Sequence, residues 1–216
     1  MPPALLYFAN LLWLLIILTA LYRARRQLPR LQPVAIHLFC GAIPVLTLLA
    51  LLKTAAAPGL ELHLIGLTAA TLLMGARLAI LAAAFSQLLL LTLGELPPVA
   101  LGLNGLTHAA IPVAISASFA ALLRRYLPPN PFIYTLGAGF FGGILALSAA
   151  MLTTALIQHA GGAYPWDTLW DKYLQTLPII AYPEGFINGV FATAMVAFHP
   201  NLLATFNPND YLKETP

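Results

Sequence analysis

A single carboxylate, Glu184, interrupts the apolar run from Leu174 to Phe198, inside the stretch Ala181-Tyr-Pro-Glu-Gly-Phe-Ile-Asn-Gly189. At 1.5 Å of rise per residue such a run makes a helix about 37 Å long, with Glu184 roughly 15 Å along it and near the middle of a bilayer. No other acidic residue lies in a candidate span. A carboxylate at that depth costs about 2.5 to 3.5 kcal/mol to insert, so it has to face a bundle interior, a partner or a wet cavity. Pro178 and Pro183 each remove a helical hydrogen bond and free the carbonyls of Leu174 and Ile179. Gly185-x-x-x-Gly189 offers a face for close helix approach, and Asn188 needs a polar mate. Glu184 therefore reads either as an anchor holding the bundle together or as a direct participant in transport.

The rest of the chain gives this carboxylate a membrane setting. Of its 216 residues, 60% are hydrophobic and only 8% are charged, and the mean hydropathy is +0.86. Soluble domains carry about 25% charged residues. The composition thus specifies one integral membrane domain, all-α and polytopic, with no room for a soluble one. The net charge of +3 does not denote a nucleic-acid binder, because the basic residues gather at span ends. Cys40 has no second cysteine in the chain, which excludes an internal disulfide and a thiolate cluster.

About seven spans follow from the apolar runs: residues 3–22, 34–52, 62–75, 78–93, 99–123, 132–158 and 174–198, with a cytoplasmic tail over 200–216. The first carries its positive charge after the apolar core, at Arg23, Arg25, Arg26 and Arg30, so it reads as a retained helix rather than a cleaved leader. Gly41 and Pro44 predict a kink in the second, and Ala55-Ala-Ala-Pro-Gly59 predicts an external loop. Residues 62–93 would make one helix of about 48 Å, too long for a bilayer core of roughly 30 Å, so two short spans with Arg77 at an internal turn are expected. Gly102-Leu-Asn-Gly105 predicts a locally opened helix showing carbonyls to a cavity. Residues 159–172 read as a polar outer loop, with Tyr164, Trp166, Trp170 and Tyr173 at the membrane interface. An outside N-terminus puts Arg23, Arg25, Arg26, Arg30, Arg77, Arg124, Arg125 and Lys213 inside, leaving only Lys53 and Lys172 outside, as the positive-inside rule requires.

The polar residues within these spans are the candidates for function. Of the five histidines, His63 and His108 fall near the expected outer ends of their spans and, with Glu61, flank an outward vestibule. Imidazole suits first-row metals such as nickel and cobalt. Gln87, Asn104 and Asn188 are amides that must pair across helices and shape or gate a cavity together with Glu184. Gly139-x-x-x-Gly143 and Gly185-x-x-x-Gly189 are packing faces. No nucleotide-binding P-loop and no nucleophile with a base occurs, so any ATP would be hydrolysed by other subunits.

The succession His63-Leu-Ile-Gly66, Met74-Gly75-Ala76-Arg77, Gln87 and Leu101-Gly102-Leu-Asn104, with Glu184-Gly185, Gly189 and His199-Pro200-Asn201-Leu-Leu near the end, resembles the CbiM-type membrane component of energy-coupling-factor (ECF) importers for cobalt and nickel. The resemblance covers roughly residues 60–206. It implies a substrate-capture permease of an ABC-type importer in the plasma (inner) membrane. Its partners would be a transmembrane coupling protein and a pair of ATPases, and its transported ligand Co2+ or Ni2+, with no permanently bound cofactor. Members of that family typically begin Met-His and wrap the N-terminal amine and that histidine around the metal. This chain begins Met1-Pro2-Pro3, so of that set only His63 carries over. Two alternatives stand beside this expectation: a proton-linked transporter cycling a proton on Glu184, and a non-transporting membrane scaffold packed through its glycine faces.

Overall fold

A computed structural model describes residues 2–25 and 33–212. Arg26, Arg30 and Lys213, counted above as inside charges, lie outside the described residues. The chain forms α1 (Pro3–Ala24), α2 (Pro33–Leu51), a hairpin of β1 (Thr54–Ala57) and β2 (Leu60–Leu62), and α3 (Leu67–Thr92). There follow α4 (Leu101–Gly105) and α5 (Ile111–Tyr126), joined by a π-helical turn at Leu106–Ala110. A π-helical stretch, Ile133–Phe141, then runs into α6 (Gly142–Ala160). The short α7 (Trp166–Lys172), the long α8 (Leu177–Phe198) and a last turn, α9 (Pro208–Tyr211), complete the chain. Among the described residues six segments are long and apolar enough to cross a bilayer.

One of those six, α3, carries two legs. Leu67 and Gln87 line a common cavity, although a straight helix would set them about 30 Å apart. The chain folds back at Gly75, whose φ of 80° and ψ of 160° are open to glycine and strained for other residues. The break thus falls two residues before Arg77, where the sequence places it. The first leg is also shorter than expected, because residues 63–66 are not helical. Its helical part, Leu67–Met74, spans only about 12 Å. A descending chain of β2, extended residues and one short helix covers the distance that the sequence assigns to a helix from residue 62.

Other differences have similarly local causes. The expected loop at 53–60 is a two-stranded hairpin turning at Pro58-Gly59, with Thr54 opposite Leu62 and Ala55 opposite Glu61. The expected outer loop folds into α7, and Tyr173 beside it is fully buried rather than interfacial, while Trp166 and Trp170 remain exposed. Pro178 sits in the first turn of α8, where it removes no hydrogen bond, so only Pro183 interrupts that helix. Gly102 and Gly105 do not open a helix onto a cavity. A Cβ on either would strike α1, at the Ala9–Asn10 backbone and the Trp13 ring respectively. The 102–105 stretch stays helical, and its glycines let α1 approach.

The core gathers around α3, the most buried of the spans, whereas α1 and α2 lie at the periphery. The bundle has two unlike ends. Arg23 and Arg77 border one cleft, Arg124 and Arg125 close α5, and Ala204 N–H donates to the Leu73 carbonyl at the same end. Lys53, Glu61, Glu95 and the hairpin occupy the opposite end.

Candidate functional site

Among the polar groups in the apolar interior, two clusters depend on the extended residues between β2 and α3. The deeper one surrounds Glu184, which is 2% exposed. Its carboxylate accepts the Ile65 N–H at 2.8 Å and the Gly66 N–H at 2.9 Å. Asn188, one turn along α8, donates Nδ2–H to Glu184 Oε1 at 2.9 Å and to the Glu184 carbonyl at 2.6 Å. Its Oδ1 accepts the Ala69 N–H at 2.7 Å. A helix leaves its first four N–H groups without internal partners. Here two side chains of α8 cap donors at the start of α3, and no capping side chain is needed from Gly66, whose φ is 66°. Glu184 and Asn188 thereby acquire every partner a buried polar pair requires.

The glycine faces bring α8 close enough for this. A Cβ on Gly143 would lie 3.1 Å from Gly185 Cα and 3.2 Å from the Glu184 carbonyl oxygen. One on Gly139 would lie 2.9 Å from the Ala192 Cβ and 3.1 Å from Gly189 Cα. One on Gly185 would meet the Phe140 carbonyl at 2.7 Å, and one on Gly189 the Phe140 Cβ at 3.0 Å. Gly139, Gly143, Gly185 and Gly189 thus form one seam between α8 and the 133–160 segment.

The second cluster lies toward the hairpin end. His63, in the extended segment, and His108, in the π-helical turn, stack with ring centroids 5.2 Å apart and planes at 25°. His63 Nδ1 lies 2.9 Å from the Leu64 carbonyl, which only accepts, so that nitrogen carries the proton. Thr107 donates its hydroxyl proton to the Leu103 carbonyl and accepts from His108 Nδ1 at 2.8 Å. The network therefore assigns a free lone pair to Nε2 of both rings. This is the arrangement by which a second hydrogen bond orients a metal-ligating histidine.

The two histidines, Gln87 and Asn104 border a cavity of about 50 Å3. Gln87 donates Nε2–H to Asn104 Oδ1 at 2.8 Å, but its Oε1 is buried without a partner. A wider vestibule of about 290 Å3 adjoins through Glu61, Glu95, Asn104 and His108 and reaches Leu6 of α1. Glu61, grouped with the histidines by the sequence, borders the cavity with them and is also held by Lys53, with Nζ 2.9 Å from Oε1. Among the described residues, no three of His, Cys, Asp or Glu converge closely enough to hold a metal ion.

Several contributors escaped sequence reasoning. Asn10 accepts the Gly102 N–H through Oδ1 and donates to the Val99 carbonyl, docking α1 beside the vestibule. Thr68 and Ser116 share a hydrogen bond of 2.7 Å, as do Thr47 and Ser86 at 2.9 Å. The spacing Gly102-x-x-Gly105 carried the signal for α1; isolated hydroxyls on apolar helices carried none.

Comparison with known proteins bears on the chain as a whole. The model of the family described as "CbiM: Cobalt uptake substrate-specific transmembrane region" matches residues 1–202. Two solved structures share the fold. One, described as a truncated transition metal transporter, is 17% identical with a TM-score of 0.79, over 92% of this chain and 96% of the other. The second, described as a transition metal transporter, is 16% identical with a TM-score of 0.73, over 92% of this chain and 88% of the other. No curated protein matches.

Proposed function

Because the chain belongs to the CbiM family of cobalt-uptake transmembrane regions, we propose that it captures a divalent transition metal of the cobalt or nickel kind at the His63–His108 cavity. It does so as the permease component of an ECF-type importer. The observation that carries this reading is the pair of imidazoles, each with Nδ1 engaged and Nε2 free, on the wall of one small cavity. Two imidazole nitrogens suit borderline first-row metals, and the unpartnered Gln87 Oε1 supplies an oxygen for a further position. Water completes the set, as the vestibule allows. Glu184 and Asn188 contribute by fixing the Ile65–Ala69 backbone and hence the His63 segment.

The hairpin end faces the exterior in this reading, since Arg23, Arg25, Arg77, Arg124 and Arg125 lie at the opposite end and cytoplasmic ends favour Lys and Arg. A coupling protein and ATPases on separate chains supply the energy. Isothermal titration of the purified protein with Ni2+ or Co2+ tests the proposal. Binding is expected in the parent and about a hundredfold weaker in His63→Ala, and a parent that binds neither metal overturns it. The proton-linked alternative fits less well, because both Glu184 oxygens are occupied by N–H donors within a closed network.

A further inference from the structure

At the mouth of the cavity one ammonium engages two carboxylates. Lys53 follows α2, Glu61 lies on β2, and Glu95 lies in the loop after α3. Lys53 Nζ stands 2.9 Å from Glu61 Oε1, 3.6 Å from Glu95 Oε2 and 3.2 Å from the Glu95 carbonyl oxygen. Lys53, Glu61 and Glu95 border the same cavity as His63 and His108, and no other acid does so among the described residues. Among the described residues Lys53 is also the sole lysine or arginine on that wall. Its side chain is 21% exposed, so solvent screens the trio only in part.

We infer that Lys53 is a tethered counter-cation that sets the selectivity of the cavity, by occupying Glu61 and repelling any divalent ion that does not gain from imidazole nitrogen. This rests on the proposed metal site. Mg2+ and Ca2+ draw their affinity from charged and carbonyl oxygens. In this cavity Glu61, which shares its wall with both histidines, is already paired with Lys53, so such ions must displace an ammonium and receive no compensating nitrogen ligand. First-row metals meet the same repulsion but gain from two imidazoles. Lys53 therefore works as a threshold: it weakens every divalent ion, and only ions with affinity for nitrogen bind in spite of it.

Titration of the full-length protein in lipid nanodiscs with Ni2+ alone and Ca2+ alone tests this in the parent, Lys53→Met, Lys53→Arg and the Lys53→Met/Glu61→Gln double variant. Ca2+ binding should be undetectable in the parent and measurable in Lys53→Met. Ni2+ affinity should rise about tenfold in that variant, as expected on removing a nearby unit charge. Lys53→Arg should match the parent, because it retains the charge, and the double variant should lose the Ca2+ gain. Lys53→Gln keeps an N–H donor for Glu61 without the charge and repeats the measurement should the methionine variant melt early. The inference is overturned if neutral variants fail to bind Ca2+, if arginine behaves as methionine does, or if the gain survives without Glu61. A parent that binds no Ni2+ removes the metal site itself and this inference with it. A parent that binds Ni2+ while Ca2+ stays excluded from Lys53→Met removes the inference alone.

Discussion

The Glu184–Asn188 knot and the His63–His108 cavity lie close along the chain, since Ile65 and Gly66 follow His63 almost directly, yet they have opposite chemistry. In the knot every side-chain oxygen and nitrogen has a partner: two carboxylate oxygens and one amide meet the donors of Ile65, Gly66 and Ala69. In the cavity two Nε2 lone pairs and the Gln87 oxygen are left over. Unmet hydrogen bonds in an apolar interior are expensive. The knot spends its polarity on holding backbone in place, whereas the cavity retains polarity that a ligand would complete. The difference teaches that burial of a charged residue in a span does not by itself mark the site of action; the residues with spare valence do.

The contrast can be broken most severely at Glu184. Glu184→Gln should destabilise the protein by about 3 kcal/mol or more, because an amide NH2 then faces backbone N–H donors that only an acceptor can satisfy. Thermal unfolding in detergent should show a loss of roughly 6 °C or more for a chain of this size. Retained stability with lost uptake would instead make Glu184 a proton carrier. His63→Ala should act in the opposite sense: metal affinity measured by titration falls about a hundredfold, as on loss of one of few ligands, while melting shifts by less than about 4 °C. An equal loss of stability in both variants would erase the distinction between knot and cavity.

Gly143→Val sharpens the knot side. Its side chain would push against Gly185 and the Glu184 carbonyl, at a cost of about 1 to 3 kcal/mol read as a lower melting temperature. Gln87→Leu sharpens the cavity side with the smallest effect. It removes the unpartnered oxygen but also the donor to Asn104 Oδ1, so the two effects offset and melting should change by less than about 2 °C, while Ni2+ affinity falls about tenfold.

Much of this architecture is legible in the residues. Long apolar runs bounded by arginines fix the helices and gather the basic residues at one end, and glycines four apart mark the seam of α8. Glu184 and Asn188 announce that they need partners. The hidden part lies between residues 53 and 75. The hairpin and the extended 63–66 stretch have no apolar alternation of their own, and the Ile65 and Gly66 donors are satisfied by a helix more than a hundred positions away. Lys53 reads as a span-end charge until the fold places two carboxylates beside it.

By itself the sequence determined that this protein is a polytopic membrane helix bundle with one acid buried in a span, because long apolar runs satisfy their own backbone in hydrocarbon and a charged side chain there is costly. Only the tertiary structure decided which groups meet. Backbone N–H donors are alike at every residue, and long-range pairing depends on where the chain turns back. The reversal at Gly75 and the close approach along the glycine seam are what bring Glu184 to Ile65 and set His63 against His108.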